Sequence, residues 1–301
     1  MKMKTIQLIL FCALVCCLNA CSDEDKIHAS VGDSWYNLED DPSDPVQHYI
    51  YEFYKTYQTI IVKDPDIRDY RYNFKKKNNI RVVSPLQEKE LLEKGLSLVK
   101  DVFVDVYTEG FLKEYLPYSV IMADSIFFLG MEDQTPSYHA FVSTNYVAIA
   151  GIRPEMDSYT DADIREIRGE VNGKFWKDYL LAIKGVFQIP EEFYEVSEEY
   201  YKQSDWDWDV ETPDDVDWHE MGFVSYDPGM TNFDPDPDWG GWWIQAPSKD
   251  IDISQWLEFV FRVTKTERDA IFEAYPLMKK KYDILKEAMK QCGEFDISSL
   301  Q

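Results

Sequence analysis

The chain has 301 residues, with 56 acidic side chains against 31 Lys or Arg and a formal charge of −25. A surface so negative repels phosphate backbones and anionic headgroups, which excludes nucleic acid and bare anionic lipid as partners. Hydrophobic content of 45% and aromatic content of 15% exclude a disordered chain.

Lys2 and Lys4 precede an apolar run from Ile6 to Leu18. That run falls short of the roughly 20 residues needed to span hydrocarbon, so the pattern predicts a signal peptide over 1–20. Leu18-Asn19-Ala20-Cys21 resembles a lipobox, which implies cleavage before Cys21, lipidation of its thiol and attachment to a membrane through that lipid. Ser22-Asp23-Glu24-Asp25 resembles the acidic tag of Bacteroides-type lipoproteins and implies the outer membrane, facing the cell exterior. No later stretch reaches the length of a membrane span, so lipid is the expected anchor. Cys12, Cys16 and Cys17 leave with the signal. Cys21 and Cys292 then remain, too few for a disulfide framework or a cysteine-based metal spacing.

Residues 21–45 are rich in Asp, Glu, Ser and Pro and read as a lipidated tether, followed by a single domain over 46–301. Tyr49, Ile50, Tyr51, Phe53, Tyr54 and Tyr57 thicken the pattern up to a strand at Thr59-Ile60-Ile61-Val62. Ser84, Pro85 and Gln87 predict a helix start with a capping box, and apolar spacing carries that helix to about Tyr107. Two β-rich runs follow, Val120 to Leu129 and Tyr146 to Ala150. Thr160 and Asp163 open a further helix, with Ile164, Ile167, Val171, Phe175 and Tyr179 on one side. The first part of the domain, 46–186, thus holds the sheet and a central helix. Residues 187–250 form an acidic, Trp-rich loop, and 251–301 are helical with a break at Pro276 and a stop at Gly293. This order predicts an α+β fold.

Phe53-Tyr54-Lys55-Thr56-Tyr57-Gln58-Thr59-Ile60-Ile61, the helix at 161–183 and Gly222-Phe223-Val224-Ser225 resemble the Bacteroidetes zinc metallopeptidase lipoproteins, called substrate import-associated zinc metallohydrolases. The resemblance implies a zincin-like fold, with a small twisted sheet on a central helix and a helical C-terminal lobe. It also implies a nutrient-uptake setting, with a TonB-dependent importer and a surface glycan-binding lipoprotein as partners. In that family the central helix reads roughly Ile-His-His-Glu-Phe-Ala-His. Histidines four apart share a helix face and bind zinc, and the glutamate beside the first activates a metal-bound water.

The matching stretch here is Ile167-Arg168-Gly169-Glu170-Val171-Asn172-Gly173. The resemblance places Glu170 at the general base, the one catalytic candidate. Both ligand positions, Gly169 and Gly173, lack side chains, so no metal is expected. Two readings follow for the helix: glycine lets another element approach closely, and Arg168 or Lys174 pairs with Glu170 in a structural salt bridge. The expected function is a catalytically inactive relative that binds a peptide or glycan, or docks to an importer. One alternative is an active zinc hydrolase using His139, His219 or Glu258 around Glu170, with Asp252 or Glu258 as compensating acids. The other is a structural accessory that binds only protein.

Asp234-Pro235-Asp236-Pro237-Asp238 alternates carboxylates as a calcium loop does. However, Trp239 and Gln245 stand where an EF-hand needs Gly and Glu, so a solvated acidic turn is the plainer reading. Trp206, Trp208, Trp218, Trp239, Trp242 and Trp243 are candidate ligand-stacking residues. The competing expectation is that they pin the long loop to the body.

Overall fold

The computed structural model describes residues 36–71, 78–129, 138–205, 211–236 and 240–300. The expected signal peptide, Cys21 and most of the tether lie outside these residues, as do Trp206, Trp208 and Trp239. The chain divides into two compact units, Met1–Leu38 and Glu39–Gln301; the first contributes only residues 36–38 to the description.

In the second unit, α1 (Pro45–Tyr57) starts where the Asp44 carboxylate accepts from the Val46 amide, with Pro45 in the first turn. Val46, Ile50 and Phe53 form its buried face, and Gln58 ends it in the left-handed region at φ 56°. Strand β1 (Ile60–Val62) then enters a four-stranded sheet of order β1-β3-β6-β5. β3 (Ser119–Met122) runs parallel to both β1 and β6 (Tyr146–Ile149), while β5 (Ala140–Val142) is antiparallel at the edge. Every residue of β3 and β6 is buried. A strand covered on both faces needs apolar side chains on both, which is why these segments read as continuous apolar runs.

Parallel neighbours require a crossover. The one between β1 and β3 contains α2 (Ile67–Tyr70), β2 (Ile80–Val83), α3 (Lys89–Val102) and α4 (Glu109–Tyr115). The run expected over 120–129 is two strands rather than one. β3 stops at Met122 and β4 (Ser125–Phe128) pairs antiparallel with β2. The switch is made by two successive amides: Ala123 donates to Ile149 in the first ladder and Asp124 to Val83 in the second.

The helix expected from Pro85 begins at Lys89 instead, with no side-chain cap. Tertiary hydrogen bonds outcompete the local capping box. Ser84 Oγ donates to Asp64 at 2.8 Å, and Gln87 Nε2 donates to the Lys63 carbonyl at 3.0 Å. The helix ends at Val102, ahead of a short 3₁₀ turn over Val104–Val106.

α5 (Asp161–Lys174) starts where expected, with Thr160 and Asp163 capping each other in a box, and winds on as a π-helix through Phe175–Lys184. The segment 187–250 is more ordered than expected. It holds α6 (Glu191–Glu195) and a three-stranded ladder of order β7-β9-β8, from Ser204–Asp205, Gly241–Gln245 and Asn232–Asp234. Three helices close the chain: α7 (Lys249–Arg262), α8 (Lys265–Ala274) and α9 (Pro276–Lys290). The architecture is α+β, with small sheets, a central helix and a helical C-terminal part.

The core runs from α1 and α3 through α5 and α7 to α9. A buried polar chain fixes the central helix within it. Trp176 Nε1 donates to Tyr107 Oη at 3.1 Å, and that hydroxyl donates to Asn172 Oδ1 at 2.6 Å. The Asn172 amide group donates to the carbonyls of Val102 and Arg168, both at 2.7 Å. An unpaired amide here would cost about 1–3 kcal/mol, so the network sets the rotation of α5 about its axis. That rotation decides where Glu170 points.

Candidate functional site

Gly169 and Gly173 lie one turn apart on α5, facing α7. A Cβ on Gly173 would stand 2.5 Å from Glu258 Cγ and 3.0 Å from the Glu258 amide nitrogen. One on Gly169 would stand 3.0 Å from both the Arg262 Cβ and the Glu258 carbonyl oxygen. The backbone of α7 therefore fills the ground where two imidazoles would have to sit. These glycines are a helix contact, spaced like the small residues that let two helix backbones meet.

Glu170 turns the other way, toward the sheet edge. Its Oε1 accepts from Lys174 Nζ at 2.6 Å and from the Ala140 amide at 3.3 Å. Its Oε2 accepts from the His139 amide and from His139 Nδ1, both at 3.0 Å. Lys174 also donates to the Ala140 carbonyl at 2.9 Å and lies 3.8 Å from the centre of the Tyr138 ring. The carboxylate thus ties α5 to the start of edge strand β5 and is ringed by four donors. Burial would raise its pKa, but the His139 hydrogen bonds and the charge of Lys174 prevail and hold it at about 2.

Of the two cations expected to reach Glu170, Lys174 does so and Arg168 does not. Arg168 lines a cleft of about 470 Å³ with Asp101, Asp105 and Phe261, and its Nε is buried with no hydrogen bond. His139 was legible only as a candidate substitute ligand; nothing in the sequence marks its contact across 31 positions. Lys174 carried a signal, because it stands one helical turn beyond Glu170.

The substitute zinc set does not assemble. His139 is spent on Glu170, and His219 stacks edge-on against Tyr275 and lines a different cleft with Arg165, Glu166 and Arg262. Asp252 is fully buried against Lys281. Among the described residues no three His, Cys, Asp or Glu side chains stand together as a metal would need. An ammonium at 2.6 Å from Glu170 also opposes a second cation there. The described residues do not fit a zinc centre. Nor does Glu170 suit a metal-free general base, which works best with a pKa near the operating pH.

Glu258 is a further titratable group at this crossing. Burial first, and then the charge of Glu170, pushes its carboxyl up from the ordinary glutamate value.

The tryptophans divide. Trp218 is buried, donates to the Pro213 carbonyl at 2.9 Å, and packs with Val216, Phe223, Ile244 and Ala246 in a small second core. Trp242 is half-buried, with its ring centre 5.3 Å from that of Phe233 on the neighbouring strand. Trp243 is half-buried in β9 opposite Asn232. At the candidate calcium segment, Asp234 Oδ1 accepts from the Asp236 amide at 3.0 Å in an exposed turn; Pro237 and Asp238 lie outside the described residues.

No family model matches this chain, and no curated protein matches it. Among solved structures, it is similar to a protein from Bacteroides caccae described as a "putative zinc-binding metallo-peptidase". The identity is 12% over 86% of this chain and 90% of that one, with a TM-score of 0.48.

Proposed function

We propose that the chain is a lipid-anchored surface protein of a nutrient-uptake system, related in architecture to zinc metallopeptidases, that binds and does not cleave. Its ligand is a peptide or a glycan, or the chain docks to a TonB-dependent importer and its glycan-binding partner lipoprotein. The lipid on Cys21 and the outer-membrane location are part of this reading and rest on the N-terminal sequence pattern. The observation that carries the absence of hydrolysis is the state of Glu170. It is ion-paired with Lys174 and hydrogen-bonded to the sheet edge, while Gly169 and Gly173 lie flush against α7.

Three measurements test the reading. Zinc analysis of the purified protein should give far less than one ion per chain, with no change on Glu170→Gln. Peptide substrates should remain intact, whereas stoichiometric zinc with cleavage abolished by Glu170→Gln would establish the hydrolase instead. Labelled palmitate should enter the wild-type chain and be lost with Cys21→Ser.

A further inference from the structure

The aromatic residues of the ladder β7-β9-β8 sit in a segment of unusual charge. Residues 203–248 contain 12 Asp or Glu and no Lys or Arg, so about a sixth of the chain carries about half of its net charge of −25. Two of the large apolar side chains left in solvent occur here within four positions: Met230 at 52% and Phe233 at 56% exposure. Phe233 pairs in register with Trp242, and their rings lie against each other at 5.3 Å. Trp242 in turn leans on the small core around Trp218 and Phe223. The Phe233 ring is therefore held out from a packed base, with the carboxylates of Asp234 and Asp236 following on the same strand and turn.

An aromatic face alone accepts a sugar ring or a cation. The charge decides between them. Ring faces attract ammonium and guanidinium groups by their quadrupole, and an acidic segment without Lys or Arg of its own raises the local concentration of cations and speeds their arrival. An arginine suits both features at once, with its plane on the ring and its N–H fork on a carboxylate.

We infer that the aromatic face formed by Phe233 and Trp242, set within the acidic segment 203–248, is a docking surface for a basic protein segment carrying arginine or lysine beside apolar side chains. This deepens the binding reading above and rests on it.

The test uses the full chain in detergent and fluorescence anisotropy of a labelled peptide of alternating arginine and leucine. Binding should weaken about tenfold with Phe233→Ala, as for an interface hot spot, and be retained with Phe233→Tyr. It should fall with added salt, and a peptide of alternating glutamate and leucine should not bind. Circular dichroism confirms that each variant folds. Unchanged affinity in Phe233→Ala, or no binding of the arginine peptide, overturns the inference. A neutral oligosaccharide bound through Phe233 overturns it too, but leaves the binding reading standing. Cleavage of the peptide overturns that reading itself.

Discussion

The Cγ of Glu258 lies where a side chain on Gly173 would begin: a Cβ built on that glycine falls 2.5 Å away from it. The neighbouring contacts at 3.0 and 3.1 Å are Glu258 backbone atoms, so the obstacle is the helix α7 itself and not only a chain end that can swing aside. Helix propensity alone would make Gly173→Ala stabilising by about 1 kcal/mol. Overpacking costs about 1–3 kcal/mol and wins here. Urea denaturation should show a net loss of up to about 2 kcal/mol. Gly110→Ala is the control, because a Cβ there meets nothing within 4 Å on an exposed turn of α4. It should gain up to about 1 kcal/mol. Equal behaviour of the two variants would mean that α5 and α7 part freely.

The Glu170 carboxyl gives a pH signature. Its folded pKa, about 2, lies below the ordinary value of 4.5. A depressed acid contributes stability above its unfolded pKa and loses it as pH falls through the folded one. The contribution amounts to about 3 kcal/mol, lost between about pH 4.5 and 2. Glu170→Gln should therefore be less stable than wild type at pH 7, with the gap closing as the buffer is acidified toward pH 2. A gap independent of pH would deny the ion pair this role.

Glu258 should act with the opposite sign. Its carboxyl is raised by burial and by Glu170, so the folded state holds its proton more tightly than the unfolded state, and stability falls as pH climbs above the ordinary glutamate value. Glu258→Gln removes a charge disfavoured first by burial and then by the negative charge of Glu170. It should stabilise the protein at pH 7 and have little effect near pH 4. Destabilisation at pH 7 would show that Glu258 gains more from Lys174 and Arg262 than it loses.

Local chemistry made some of this legible from sequence. The Thr160–Asp163 box and the break at Pro276 are each set by residues within a few positions of the event, and both stand. Ser84-Pro85-Leu86-Gln87 has the same local signature, yet Asp64 and Lys63, some 20 positions earlier, claim its side chains. The Lys174 pair with Glu170 was visible as an i,i+4 spacing. The remaining donors come from His139 and Ala140, about 30 positions away, and their arrival depends on β5 lying at the sheet edge. The glycines show the same divide. Their lack of ligand atoms is plain in the sequence, whereas the backbone of α7 pressed against them is a fact of helix packing.

A fully buried ion pair joins two of the C-terminal helices, α7 and α9. Lys281 and Asp252 are both fully buried, with Nζ 2.6 Å from Oδ2. Tyr201 Oη donates to the same oxygen at 2.6 Å, and the ammonium lies 4.7 and 4.8 Å from the centres of the Phe193 and Phe223 rings. Burial pulls the Lys281 pKa down to about 8 and pushes the Asp252 carboxyl up, so each resists its charge. Asp252 Oδ1 has no hydrogen bond. Desolvation is thus only partly repaid by attraction. Lys281→Met alone strands a buried carboxylate and should cost about 3–5 kcal/mol in denaturant unfolding. Adding Asp252→Leu should restore most of that loss, because an apolar pair of similar volume needs no solvent. The double-mutant cycle reads the coupling directly; a double variant as unstable as Lys281→Met would show that the pair is worth more than its desolvation.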